Sequence, residues 1–254
     1  MLSTLATYRL MARDLDRTLA LKAAEAPVAL EIANYRERIG EIRSLDAFLA
    51  DTRVFRFAMT AFGLEEMAFA KGYMRKVLAE GVSRPDAFAY RINDPRFEEF
   101  ARTFDFERLG EETTRSPAVL EPVVQRYVRQ SLEVAAGEEN EGVRLALYFR
   151  RAAPEVSSVY GLLADPALAQ VVRTALGLPD QMASAPIDRQ VAAIEKRLDV
   201  ASLRDPEALE RMIVRFASLW DVTRETAPDP LLDLFNTRPA ASVPLDLAMT
   251  VQQL

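Results

Sequence analysis

The stretch FLADTRVFRFAMTAFGL occupies Phe48–Leu64, and LLADPALAQVVRTALGL occupies Leu162–Leu178. Extended without a gap, Glu41–Leu64 over Glu155–Leu178, the two share nine identities in 24 positions at a constant offset of 114 residues. In each, an aspartate (Asp51, Asp165) stands where a side-chain oxygen can accept from the free backbone N–H groups of a helix start. Apolar residues then recur at intervals of three and four: Val54, Phe57, Ala58, Ala61 and Phe62 in one, Leu168, Val171, Val172, Ala175 and Leu176 in the other. That is the spacing of one helix face, and Gly63 and Gly177 supply the stops. Two unrelated helix ends built by capping rules alone would share the Asp and the Gly. They would not share Leu-Ala-Asp or Thr-Ala. The pattern predicts an all-α fold made of two diverged copies of a helical unit of about 114 residues, packed with pseudo-twofold symmetry, since two copies are too few for a solenoid. The expected division is 1–114 for copy 1, 115–227 for copy 2, and a tail over 228–254 that docks on the body or is ordered by a partner.

Helical punctuation continues outside the repeat. Asp94-Pro95, Asp165-Pro166 and Asp205-Pro206 each place a capping carboxylate before a ring whose φ suits the first helical position, so three helices are expected to start there. Phe97, Phe100 and Phe104 after the first of these answer Leu209, Met212 and Phe216 after the last. Further helical stripes are Tyr8, Met11, Leu15 and Leu19; Met67, Phe69, Tyr73, Val77 and Leu78; and Val191, Ile194 and Leu198. Leu49, Val54, Phe57, Phe62, Leu163, Leu168, Val171 and Leu176 are expected to be buried. Trp220 reads as a cover over the end of the last helix of the second copy. No strand pattern stands out.

Composition excludes more chemistry than it suggests. With 50% apolar residues over 254 positions the chain can bury a sizeable core. It has no His and no Cys, which removes disulfides, thiolate nucleophiles, imidazole bases and Cys/His zinc sites. A net charge of −6, with no basic surplus in either half, argues against nucleic acid. Arg9, Arg13, Asp14, Asp16 and Arg17 interrupt the first 21 residues, so neither a cleavable signal peptide nor a membrane span is expected there. The absence of cysteine fits a reducing cytoplasm or export and does not choose between them.

Candidate sites are few. GEENEGVRLALYFRRAAPE, from Gly137 to Glu155, bunches Glu138, Glu139 and Glu141 ahead of Arg144, Arg150 and Arg151. Carboxylates can hold a hard cation, but these lack the spacing of a calcium loop. They read instead as acids at a helix N-terminus, with the arginines toward its C-terminus, complementing the helix dipole. Paired acids such as Glu65-Glu66, Glu98-Glu99 and Glu111-Glu112 read as solvated faces, and no phosphate loop, dinucleotide fingerprint or nucleophile elbow occurs. No catalytic residue, metal or cofactor is expected. Asp51, Gly63, Asp165 and Gly177 are structural residues of the repeat. Partner contact is assigned to amphipathic segments near both ends, Leu2–Leu19 and Leu245–Leu254, through Leu5, Tyr8, Leu15, Leu247, Val251 and Leu254.

Three segments together, TYRLMARDLDRTLALKAAEAP, SLDAFLADTRVFRFAMTAFGLEEMAFAKGYMRKVL and GEENEGVRLALYFRRAAPE with SVYGLLADPALAQVVRTALGLP, resemble a bacterial family of domains of unknown function. Its genes often lie beside flagellar basal-body and rod genes. The resemblance runs over most of residues 4–220 and carries no catalytic residue to any position here. It implies a flagellar context, with basal-body or rod components as partners and a cytoplasmic or flagellum-associated location, while the acidic, helical composition without cofactor motifs suits a non-enzymatic protein-interaction role, scaffold or chaperone-like. The charged body and short C-terminal helix depart from exported rod and hook proteins, which argues against an axial structural role. The alternatives are a soluble helical protein of unrelated role and a carboxylate-based enzyme.

Overall fold

The computed structural model describes residues 3–92 and 94–225. Of these, 78% are helical and none is in a strand. The elements in order are α1 (Thr4–Ala12), α2 (Leu15–Ala24), α3 (Ala26–Ile39), α4 (Leu45–Ala50), α5 (Thr52–Ala61), α6 (Lys71–Glu80), α7 (Phe88–Arg91), α8 (Pro95–Thr103), α9 (Phe106–Leu109), α10 (Glu121–Glu139), α11 (Glu141–Ala152), α12 (Val159–Ala164), α13 (Pro166–Ala175), α14 (Ile187–Glu195) and α15 (Pro206–Glu225). Short 3-10 turns fill several of the connections.

The two similar stretches adopt the same local structure. Ser44 opens α4 by accepting from the Ala47 N–H at 3.1 Å, and Ser158 opens α12 by accepting from Gly161 at 3.1 Å. Asp51 then caps α5 through Val54 N–H at 3.1 Å, while Asp165 caps α13 through Ala167 and Leu168 N–H at 2.8 and 3.1 Å. Each second helix closes on a glycine at positive φ, 67° for Gly63 and 64° for Gly177. Past these glycines Leu64 N–H reaches back to Met59 C=O and Leu178 N–H to Arg173 C=O, at 2.8 and 2.9 Å, which satisfies carbonyls the helix leaves open. Nothing lies within 4 Å of a Cβ built on Gly177. Gly177→Ala is therefore expected to cost about 1–2 kcal/mol through the left-handed backbone alone, read as a shift in urea midpoint. A neutral result would mean that the turn relaxes out of that conformation.

Burial follows the expected stripes with instructive departures. Leu49, Val54, Phe57, Phe62, Leu168, Val171 and Leu176 are buried. Leu163 is only partly so, because its neighbour Leu162 takes the fully buried place in α12. Phe69, expected on an inward stripe, is 83% exposed. The reason is that α6 begins only at Lys71, so residues 67–70 turn ahead of it and do not share its face.

Among the described residues two apolar clusters form. The first runs from Val28 to Val128 and the second joins Tyr8 to residues between Leu132 and Trp220. They do not follow the division at residue 114 residue by residue. The first turns of α10 (Val123, Val124, Val128) belong to the first cluster and its later turns (Leu132, Ala136) to the second, while α1 packs on the second. Leu19 of α2 touches both. The Tyr35 hydroxyl donates to Val119 C=O at 2.8 Å and the Thr114 hydroxyl to Ile42 C=O at 2.6 Å, which ties the approach to α10 onto the first cluster. The principal long-helix neighbour of α5 is α10, and that of α13 is α15, whereas α8 packs with α6 and α7.

The acidic run is also resolved differently. Asn140, extended at φ −156°, breaks the chain between two helices and accepts from Gly142 N–H at 2.9 Å. Glu138 and Glu139 consequently end α10, the wrong end for the dipole, and only Glu141 sits in a first helical turn. The run therefore does not mark a single helix start, as the sequence suggested.

Candidate functional site

Helices α1, α11 and α15 meet at a junction whose charged side chains come from opposite ends of the chain. Its inner layer is a chain of hydrogen bonds. Asn140, already capping α11, donates its amide to the Thr4 hydroxyl at 3.0 Å. That hydroxyl donates to Asp221, whose other oxygen accepts the Thr4 backbone N–H at 2.9 Å. A carboxylate from α15 thus closes the first turn of α1, where the helix dipole favours negative charge. Gly142 makes the approach possible, since a Cβ there would collide with the Trp220 indole and the Thr4 methyl. Trp220 packs over the first turn of α11 and beside Phe216, with ring centroids 5.4 Å apart.

One layer outward, the Tyr8 hydroxyl donates to Glu210 Oε2 at 2.7 Å and accepts from Arg150 Nη1 at 3.0 Å, and Arg150 lies 3.3 Å from Glu210. Outside this triad the surface opens into a hollow of about 730 Å³ lined by Arg9, Arg150, Arg211 and Arg215, with Glu207 and Glu210 among them and Pro206 and Val214 as its apolar part. Glu207, Arg211 and Arg215 follow one another at steps of four and so share a face of α15. That stripe is readable in the sequence from its four-residue spacing. Arg9 and Arg150 reach the same place only through tertiary packing. A second, smaller hollow of about 540 Å³ lies beside the exposed Phe69, with Arg56 and Lys71 in its wall.

The residues assigned to partner contact separate. Tyr8 is fully buried, and Leu5 and Leu15 pack against the second apolar cluster, so that face of the N-terminal helices serves the chain's own core. The outward apolar residues of this region are Leu10, Leu21 and Leu30. Leu247, Val251 and Leu254, with the whole tail, lie outside the described residues. Among the described residues no group of three or more acidic side chains is arranged to hold a metal ion, and no helix is long and apolar enough to cross a membrane.

Burial, and then its bond to Glu210, raises the Tyr8 phenol above its ordinary pKa. Burial also raises Tyr35 and Tyr148, the latter helped by the charge of Asp165, which accepts its hydroxyl. A raised folded-state pKa gives stability that is whole below the unfolded phenol value of about 10 and is lost as pH climbs through the folded values. Urea midpoints should therefore hold near pH 8 and fall between about pH 10 and 11, with a shallower fall in Tyr35→Phe. Equal midpoints across that window would contradict the assignment.

Fold and site together describe an all-helical protein with a charged, open hollow at a three-helix junction. The chain belongs to the family of proteins of unknown function DUF1217, which it matches over residues 61–209. A protein from Agrobacterium tumefaciens known by X-ray crystallography is 42% identical, with a TM-score of 0.80 over 88% of this chain and 97% of that one. No curated protein matches the chain.

Proposed function

We propose that this chain is a non-enzymatic protein-interaction component of bacterial flagellar basal-body or rod assembly, acting as a scaffold or chaperone-like body. The gene context that the family resemblance implies supports the flagellar half of this reading. The interaction half is carried by the site, because an open hollow walled by arginines and glutamates suits contact with another protein's surface better than enclosure of a small substrate. The same reading takes the body as two diverged copies with pseudo-twofold symmetry. Its support is the matched order of a long helix, a short Ser-capped helix, an Asp-capped helix and a left-handed glycine in α3–α5 and in α11–α13. Within this reading α5 packs on α10 as α13 packs on α15, while α8, opened by Asp94-Pro95 as α15 is by Asp205-Pro206, packs with α6 and α7.

The test is deletion of the gene with swimming as the readout, joined to a pull-down using the full chain and a chain ending at Ala227. Lost swimming together with recovery of basal-body or rod proteins is the expected result. Normal flagella and no such partner would overturn the flagellar reading, while equal recovery by the shorter chain would overturn only a role for the tail.

A further inference from the structure

We propose that the hollow ringed by Arg9, Arg150, Arg211 and Arg215 is the docking site for an acidic segment of a partner protein, whose carboxylates pair with the guanidinium groups while its carbon chain lies on Pro206 and Val214. The inference rests on the reading of this chain as an interaction component, not on the flagellar context. The first observation is a local charge imbalance. Arg150 is shared between Tyr8 and Glu210, and Arg211 lies 3.7 Å from Glu207. Among the described residues Arg9 and Arg215 have no carboxylate in ion-pair range, and both are exposed. Two uncompensated cations thus face one hollow on a chain whose net charge is −6.

The second observation is that the hollow is preformed. Arg150 is held by Tyr8 and Glu210, and the α15 stripe stands on a helix of 20 residues anchored by Ile213, Phe216 and Ala217 in the second apolar cluster. A planar fork of donors on a rigid support pairs with carboxylates at little ordering cost. The third observation selects the ligand. Glu207 and Glu210 in the wall repel a dense polyanion such as nucleic acid or an anionic membrane, yet they suit a segment that alternates carboxylates with amides or a lysine. A hollow of about 730 Å³ also needs several side chains to fill it, far more than one phosphate.

The test is fluorescence anisotropy on the full chain with a labelled amphipathic peptide of about 15 residues carrying Glu on its polar face, and with its twin carrying Gln in place of Glu. Saturable binding of the Glu peptide is expected, at least about tenfold tighter than the Gln twin, and weaker by about tenfold or more in Arg9→Ala/Arg215→Ala. Because those two side chains are exposed and unpaired, the double variant should melt with the parent, which separates lost docking from lost folding. Raising salt should weaken binding in the parent more than in the variant. Absence of saturable binding, or unchanged affinity in the double variant, overturns the proposal. So does full displacement by millimolar inorganic phosphate, or preference for phosphatidylglycerol vesicles, each of which would assign the hollow to another ligand. The function reading fails separately: normal swimming with no recovered basal-body partner sinks it even where the peptide binds, and a failed peptide leaves the pull-down to decide it.

Discussion

Phe48→Ala is expected to destabilise the chain by about 3–5 kcal/mol, the range for removing a large aromatic from a packed interior. The ring is wholly buried in α4. It stacks on Phe104 with centroids 4.8 Å apart, meets Phe55 edge-on at 5.6 Å and leans on Phe106 at 5.5 Å. Truncation therefore opens a void bordered by three other rings, none of which can collapse into it without breaking its own contacts. Denaturant unfolding should show a large drop in midpoint with little change in slope. Phe69→Ala is the control, since that ring is 83% exposed and its loss should fall within about 0.5 kcal/mol. If Phe48→Ala cost less than about 1 kcal/mol, α4 would not be anchoring the first apolar cluster as described.

The second large effect is expected at the seam between the clusters. Glu133 of α10 is 3% exposed and is met by both arms of the Arg151 guanidinium, Nε to Oε1 and Nη2 to Oε2, each at 3.0 Å. Burial opposes the Arg151 charge and the Glu133 carboxylate outweighs it, so the guanidinium pKa rises. The group also lies over the Tyr148 ring, 5.0 Å from its centroid. Arg151→Ala leaves a buried carboxylate without its partner and should cost about 3 kcal/mol. That is the lower end of the range for breaking a buried pair, because the Arg151 side chain keeps 31% of its exposure. Arg151→Lys retains the charge but not the fork and should fall between parent and alanine variant. The paired change Glu133→Leu with Arg151→Met removes both charges at similar volume and should recover most of the loss. A double variant as unstable as Arg151→Ala alone would locate the cost in lost packing of the arginine stem and not in the stranded charge.

Local rules made much of the helix plan legible. Asp51, Asp94, Asp165 and Asp205 act within three residues of themselves, and the structure shows each accepting backbone N–H bonds at a helix start. Gly63 and Gly177 are equally local, since a left-handed turn needs only the missing side chain. The failures were local competitions lost. Asn140 outdid the acids around it as a cap and split one expected helix start into an end and a beginning. Phe69 falls two residues short of α6, and Leu162 takes the buried place expected of Leu163 because α12 is a helix of only six residues with a narrow inward face.

What the sequence determined by itself is the helical class, the caps and stops of the two similar stretches, and the stripes that turn inward, because each depends on residues no more than about four positions apart. Tertiary structure alone decided that the N-terminal helix spends Tyr8 on the chain's own second core, that α10 serves both clusters, and that Arg9 and Arg150 join the α15 stripe around one hollow. Those outcomes depend on which faces meet across separations of more than 200 residues, as in the Tyr8–Glu210 and Thr4–Asp221 bonds. No periodicity in a single segment encodes such a pairing, since it is settled by how all the apolar faces share one interior.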